Sequence, residues 1–153
     1  MIRIIHVDDE QNYLDLTREI IMAYDKDMQI TTSTSPSRVL ECLMDSEPDI
    51  VLSDYKMPEM DGIQFTKKLR ELSEIPVILY TGSSEEKIAE EAFEAGADDF
   101  VTKAHDAAHY IVLLKRIKNA VDKYRIKMAL EKTNDEIIQL KNHEMPVIGL
   151  THK

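Results

Sequence analysis

Residues 49–62 read DIVLSDYKMPEMDG. The first five residues form a short, mainly apolar run, which is typical of a buried β-strand. The run ends at Asp54, and Pro58 and the Asp61-Gly62 pair then predict a loop. A buried strand that ends in a single carboxylate raises the question of which other polar groups lie at the same edge of the sheet.

The same composition recurs along the chain at regular intervals. Four further apolar runs are predicted to be strands: RIIHV (3–7), MQITT (28–32), PVILY (76–80) and DDFVT (98–102). Four segments between the strands carry apolar residues at helical spacing: 10–24, 36–45, 61–72 and 84–95. Five strand–helix units with short connections predict a parallel sheet that is covered by helices on both faces.

Residues at the predicted helix ends support these boundaries. Ser35-Pro36 is typical of an N-cap followed by proline in the first turn. Ser83 or Ser84, followed by two glutamates, predicts the start of the fourth helix, and Gly96 predicts its end.

The pattern changes from about residue 107. Residues 107–144 contain no glycine or proline, and their apolar residues form two series at coiled-coil spacing. The first series is 110, 114, 117, 121, 124 and 128, and the second, in which Thr133 is a weak member, is 126, 130, 133, 137 and 140. We predict one long helix, with two helices and a break near 131–136 as the alternative. The predicted division is a domain at 1–121 and a helical extension at 122–153, which would be a coiled-coil linker to a partner or to an output domain.

Composition and charge exclude several classes of protein. The formal net charge of −10 argues against nucleic acid as the main partner. Residues 1–103 hold 10 Lys and Arg against 23 Asp and Glu, whereas residues 104–153 hold 9 against 6. Apolar runs are too short for a membrane span, the start of the chain lacks a signal-peptide pattern, and Cys42 is the only cysteine. We therefore expect a cytoplasmic protein that does not bind membranes.

Chemistry-bearing residues follow four of the five predicted strands. They are Asp8 and Asp9 after the first strand, Asp54 after the third, Thr81 after the fourth and Lys103 after the fifth. Each is unremarkable alone, but the carboxyl ends of parallel strands meet at one edge of a sheet. Clustered carboxylates without nearby histidine or cysteine favour Mg²⁺. Together with the lysine and the threonine, they predict a phosphoryl-transfer site in which Asp54 is the nucleophile.

The segments IIHVDDE, DIVLSDYKMPEMDG, VILYTGS and DDFVTK resemble the receiver domain of two-component response regulators, the CheY-like family. The resemblance extends from residue 1 to about residue 120. It implies a doubly wound sheet with strand order 2-1-3-4-5, to which this chain adds an extended C-terminal helix. It also implies a phosphoacceptor domain that modifies only itself and is not an enzyme with external substrates.

The resemblance implies a role for each carboxylate. Asp54 would accept a phosphoryl group from a sensor histidine kinase. Asp9 and Asp54 would bind Mg²⁺ together with the backbone carbonyl of Lys56, and Asp8 would assist through water.

The resemblance also implies a conformational response. Thr81 and Lys103 would bind the phosphoryl group, and Phe100 occupies the position of the family's switch aromatic residue. A homodimer or a partner protein would then use the surface of the fourth helix, fifth strand and fifth helix, together with the C-terminal helix. A freestanding receiver that docks a target through its fourth helix is the alternative.

The chain departs from the family where Ala104 replaces the usual proline after Lys103. Since a non-proline cis bond costs about 3 kcal/mol, we predict a trans peptide bond there. His105 and His109 are interpreted as an exposed helix start rather than a metal site, and His6 as a packed strand residue.

An enzymatic alternative is a metal-dependent phosphatase of the haloacid-dehalogenase-like type. Such enzymes usually carry a second aspartate two residues after the nucleophile. Lys56 occupies that position here, which argues against turnover.

Overall fold

The structure, a computed structural model, describes residues 1–151, with side chains described for residues 1–143. Strands β1 to β5 comprise Ile2–Val7, Met28–Ser33, Ile50–Ser53, Val77–Thr81 and Asp99–Thr102. Helices α1 to α5 comprise Gln11–Tyr24, Pro36–Leu43, Gly62–Leu72, Glu86–Ala95 and Ala107–Thr151. All predicted strands and helices are present. Of the helices in the described residues, none has the length and apolarity needed to cross a bilayer.

The five strands form one parallel sheet with the order β2-β1-β3-β4-β5. This order confirms the predicted doubly wound fold. The register places Val7 beside Ser53, and Thr81 beside Thr102. The last residues of the central strands therefore lie along the same edge, which is where ligands bind in open parallel sheets.

Two hydrophobic clusters cover the opposite faces of the sheet. One includes Ile21 of α1 with Leu113 and Ile117 of α5, and the other includes Ile63 of α3 with Ile88 and Ala92 of α4. Strand β4 contributes to both because its side chains alternate: Tyr80 packs in the first cluster and Leu79 in the second. Successive residues at the end of β4 thus face different helices.

Two of the predicted helix ends are confirmed. The Ser35 side chain accepts a hydrogen bond from the Arg38 amide at 3.2 Å, so it caps α2, and Pro36 is the first helical residue. Gly96 ends α4 with a φ of 107°, a left-handed conformation that glycine adopts without steric cost.

The predicted start of α4 is wrong by about half a turn. The helix begins at Glu86, and its N-cap residue, Glu85, makes no side-chain capping hydrogen bond. The Ser83 hydroxyl instead accepts a long hydrogen bond, 3.5 Å, from the Glu85 amide. Serine side chains stabilise turns in this way as readily as they cap helices, so Ser83 belongs to the loop before α4.

The chain divides into two compact units, Met1–Val121 and Asp122–Lys153. Helix α5 is continuous through residues 131–136, so the alternative of two shorter helices is wrong. In the first unit, α5 buries one face, formed by Tyr110, Leu113, Leu114, Ile117 and Val121.

The second unit exposes the apolar side chains of the second predicted coiled-coil series. The exposed fractions are 61% for Ile126, 66% for Leu130, 45% for Ile137 and 62% for Leu140. These side chains lie at heptad spacing on one helix, and they are largely solvent-exposed in the single chain.

Candidate functional site

The four predicted strand ends meet at one edge of the sheet. The Asp54 amide donates a hydrogen bond to the Val7 carbonyl at 3.0 Å, and the Lys103 amide donates to the Thr81 carbonyl at 2.8 Å. These backbone bonds extend the sheet by one residue and bring the side chains together. Asp9, Asp54, Thr81 and Lys103 line one cavity of about 960 Å³.

Three carboxylates of this edge form a cluster. Asp8, Asp9 and Asp54 each offer one oxygen atom, and these oxygens lie within 4.8 Å of one another. Asp8 and Asp54 are buried, whereas Asp9 is exposed. The carboxylates and the Lys103 ammonium together carry a formal charge of −2, which a divalent cation with a preference for oxygen ligands would balance. The donor set therefore fits Mg²⁺, and Lys56 lines the same cavity.

Lys103 lies closer to Asp8 than to Asp54. Its Nζ atom is 2.6 Å from Asp8 Oδ2 and 3.5 Å from Asp54 Oδ2. Burial raises the pKa of Asp8, and the hydrogen bond from Lys103 partly opposes that shift. The ammonium thus compensates the buried carboxylate and remains within reach of Asp54.

The two carboxylate oxygens of Asp54 have different partners. Oδ1 accepts a hydrogen bond from the Tyr55 amide at 2.8 Å, while Oδ2 faces Lys103. Thr81, at the end of β4, lines the cavity and accepts a long hydrogen bond, 3.4 Å, from the Ser83 amide. A carboxylate oxygen that lies near an ammonium, in a cavity that a threonine also lines, is suited to nucleophilic attack on an electrophilic phosphorus.

The Asp61-Gly62 pair explains how the loop after Asp54 closes. Asp61 caps α3 in a reciprocal capping box with Gln64, and the Gly62 amide donates to the Tyr55 carbonyl at 2.7 Å. A Cβ atom on Gly62 would collide with the Asp54 carbonyl oxygen and lie 2.6 Å from Leu79 Cδ1. Glycine is therefore required by close backbone approach, because α3 starts against the end of the strand that presents Asp54.

Phe100 lies in β5, away from the walls of the cavity. It is half-buried and packs against the cluster formed by α3, α4 and Leu79. Its role as a switch residue stays a prediction.

In the segment after Lys103, the prediction for the peptide bond is confirmed and the prediction for His109 is wrong. The Lys103–Ala104 peptide bond is trans, as predicted. His105 is exposed at the cavity wall, but the expectation that His109 is exposed is wrong. His109 is buried and its Nε2 atom lies 2.6 Å from the Tyr80 hydroxyl, so this histidine belongs to the core.

A largely buried polar cluster beneath the site was not predicted from the sequence. The Tyr13 and Tyr80 hydroxyls lie 2.7 Å apart, and Tyr80 continues the contact to His109. The only signal in the sequence is that Tyr80 precedes Thr81 in a strand and must therefore face the opposite side of the sheet.

His6, in β1, lies beside the same tyrosines. It is completely buried, as predicted, and neither ring nitrogen has a hydrogen-bond partner within the described part of the chain. Burial, with a smaller contribution from the charge of Lys103, lowers the pKa of His6 to about 3. The folded state therefore keeps this imidazole neutral.

This shift gives a prediction for stability against pH. Between the unfolded pKa of 6.5 and the folded pKa of about 3, only the unfolded state protonates His6. Above pH 6.5 His6 is neutral in both states and does not reduce the free energy of unfolding. Below pH 6.5 we expect the free energy of unfolding to decrease, by up to about 1.4 kcal/mol per pH unit. Urea denaturation between pH 6.5 and 5 should show a shallower fall for His6→Leu. The control is His143→Gln, at an exposed histidine, which should keep the wild-type slope; equal slopes for all three would contradict the assignment.

Comparisons with known proteins identify the family. The family model of the response regulator receiver domain matches residues 4–118. Transcriptional regulatory protein SrrA of Staphylococcus aureus is 29% identical over 144 residues, which cover 93% of this chain and 58% of SrrA. The chain thus spans less than two thirds of the length of this curated relative.

Solved structures share the fold. A CheY-like receiver domain protein of Methanospirillum hungatei matches with a TM-score of 0.73 and 24% identity, covering 83% of this chain and 98% of that one. The response regulator domain of Thermotoga maritima CheB matches with a TM-score of 0.71 and 27% identity, covering 80% and 97%. Since the family model matches well over half of the sequence, the chain belongs to the response regulator receiver family, a signalling family and not one of conventional enzymes.

Proposed function

We propose that Asp54 accepts a phosphoryl group from a sensor histidine kinase and that the modified chain then regulates a partner protein. The observation that carries this proposal is the position of the Asp54 carboxylate, at the end of β3 beside two further carboxylates and the Lys103 ammonium. Family membership supports a histidine kinase as the donor.

The carboxylate cluster supports Mg²⁺ as the cofactor. Asp9 and Asp54 would bind it directly together with the backbone carbonyl of Lys56, and Asp8 would assist through water. When bound, the ion would supply positive charge that offsets the negative charge of the carboxylates and of the phosphoryl oxygens.

The proposed transfer step uses three side chains of this edge: Asp54, Thr81 and Lys103. An oxygen of Asp54 attacks phosphorus in line, and the P–N bond of the phosphohistidine breaks as the new P–O bond forms. The bonding electrons leave with the imidazole nitrogen. Lys103, 3.5 Å from Asp54 Oδ2, neutralises charge on the phosphoryl oxygens, and the Thr81 hydroxyl donates a hydrogen bond to them.

The proposed output is a change in surface conformation. Thr81 ends β4 and Phe100 lies on neighbouring β5, so a hydroxyl drawn towards the phosphoryl group leaves room for the aromatic ring to move inward. This movement biases the surface of α4, β5 and the start of α5 between two states.

The proposal is tested by incubating the full chain with acetyl phosphate and Mg²⁺ and following its mass. We expect one phosphoryl group per chain, lost slowly by hydrolysis. Many turnovers on external phosphate esters would instead support the aspartyl phosphatase, against which stands Lys56 at the position where such enzymes usually carry an aspartate as general acid.

We further propose that residues 1–121 act as the receiver and that the helical extension, 122–153, pairs with a second copy of the chain. Its exposed series has the spacing of a coiled-coil seam: Ile126, Leu130, Thr133, Ile137 and Leu140. In a parallel pair, Asp122 would face Lys127 of the second copy and Glu136 would face its Lys141. Both flanking pairs are of opposite charge, which favours a parallel dimer.

A charge placed in this seam is expected to prevent pairing. Leu130→Glu should lower the weight-average mass of the full chain from dimer towards monomer in sedimentation equilibrium, because it buries two like charges against each other. Ile138→Glu is the matched control, since Ile138 is also exposed on this helix but lies outside the seam. A wild-type chain that is monomeric at all concentrations, or an equal effect of both variants, would contradict the dimer.

We also propose a cytoplasmic location and a protein rather than nucleic acid as the partner. A histidine kinase donor and a single exposed cysteine, Cys42, support the first. The net charge of −10 supports the second.

A further inference from the structure

The ammonium of Lys103 has a third neighbour besides the two aspartates. Its Nζ atom lies 4.2 Å from the centre of the Tyr13 ring, and 6.0 Å from that of Tyr80. A cation over an aromatic face at this distance is attracted by the negative charge on that face. Tyr13 comes from α1 and lines the same cavity as Lys103.

Tyr13 is itself held by a chain of hydrogen bonds. Its hydroxyl lies 2.7 Å from that of Tyr80, which lies 2.6 Å from Nε2 of His109. The Tyr80 and His109 rings are nearly parallel, with centroids 5.5 Å apart. Burial raises the pKa of both tyrosines and lowers that of His109, so both phenols stay protonated and the imidazole stays neutral at physiological pH.

The chain of contacts ends in the first turn of α5. His109 follows Ala107 by two residues, and its amide donates to the Asp106 carboxylate at 2.9 Å, which caps the helix. Tyr80 reaches His109 because it faces the side of the sheet opposite to Leu79 and the cluster that holds Phe100. This route therefore differs from the proposed switch through Thr81 and Phe100.

We propose that Tyr13 is a positioning residue for Lys103, and that the hydroxyl chain through Tyr80 to His109 connects its ring to the first turn of α5. This inference rests on the proposed function of Lys103. Movement of the ammonium from Asp8 towards a phosphoryl group removes the charge from the Tyr13 face. The resulting change in the position of the Tyr13 ring reaches α5 through the Tyr13–Tyr80 and Tyr80–His109 hydrogen bonds, on the face of the sheet away from Phe100.

The first test measures the phosphorylation rate of the full chain with acetyl phosphate and Mg²⁺. Tyr13→Leu is expected to slow the reaction about threefold to tenfold, because it removes the aromatic face. Tyr13→Phe keeps that face and should restore a rate within about twofold of wild type. Tyr24→Leu, at an exposed tyrosine of the same helix, is the matched control and should leave the rate unchanged.

A double-mutant cycle shows whether Tyr13 acts through Lys103. In a Lys103→Met background, Tyr13→Leu should cause no further loss, since the ring no longer has a cation to hold. An undiminished effect in that background, or a wild-type rate for Tyr13→Leu alone, would overturn the positioning role.

The second test measures amide hydrogen exchange in the first turn of α5, residues 107–110. Tyr13→Phe removes only the hydroxyl that begins the chain, and we expect exchange there to rise about fivefold, the effect of one hydrogen bond. Unchanged exchange would refute the connection to α5. A wild-type chain that takes up no phosphoryl group would refute the proposed function instead, and the exchange result would still decide whether Tyr13 and α5 are linked.

Discussion

Asp54→Asn is expected to leave the chain without phosphoryl label when wild type incorporates one group per molecule. The asparagine side chain has nearly the same shape but a neutral, weakly nucleophilic oxygen, and it removes one of the three carboxylates that would bind the cation. We expect the yield to fall to below about one part in a thousand of wild type. Intact-mass measurement after incubation with acetyl phosphate and Mg²⁺ checks this result.

Asp45→Asn is the control for the change in charge. Asp45 is exposed and lies outside the carboxylate cluster, so this variant should be labelled like wild type. Full labelling of Asp54→Asn, at Asp9 or elsewhere, would show that the acceptor has been assigned to the wrong residue.

Gly62→Ala is expected to destabilise the fold by about 2–4 kcal/mol, because its methyl group has no space beside the Asp54 carbonyl and Leu79. To make space for the methyl group, α3 must move away from the end of β3, which would also displace the Asp54 carboxylate. Urea denaturation at neutral pH measures the loss.

Gly82→Ala is the matched control for the loss of a glycine. A Cβ atom on Gly82 meets no atom within 4 Å, so the free energy of unfolding should change by less than about 0.5 kcal/mol. If both alanine variants were equally stable, close approach would not be the reason for glycine at position 62.

The fold could be predicted because its signals are local. Runs such as residues 49–53 identify strands by composition, and Ser35 and Gly96 mark helix ends by their own conformational preferences. The start of α4 was predicted wrongly because its local signal is ambiguous. Serine is favoured both in turns and at helix N-caps, and the surrounding loop determines which of the two positions Ser83 occupies.

The residues of the candidate site could be predicted, but the contacts between their side chains could not. The order of parallel strands brings Asp8, Asp54 and Lys103 to one edge, which follows from topology alone. Which carboxylate Lys103 contacts depends on differences of about 1 Å between side-chain atoms, and a sequence does not determine such distances. The same holds for Tyr80 and His109, whose contact joins a strand to a helix 29 residues further along the chain.

The ion pair between Lys103 and Asp8 has a consequence for the architecture of the unmodified protein. In the unmodified chain this fully buried carboxylate is already paired with the Lys103 ammonium, so the sheet edge does not need a metal ion in order to fold. A magnesium ion bound at this edge, as proposed, would therefore serve the transfer of the phosphoryl group and not the integrity of the fold.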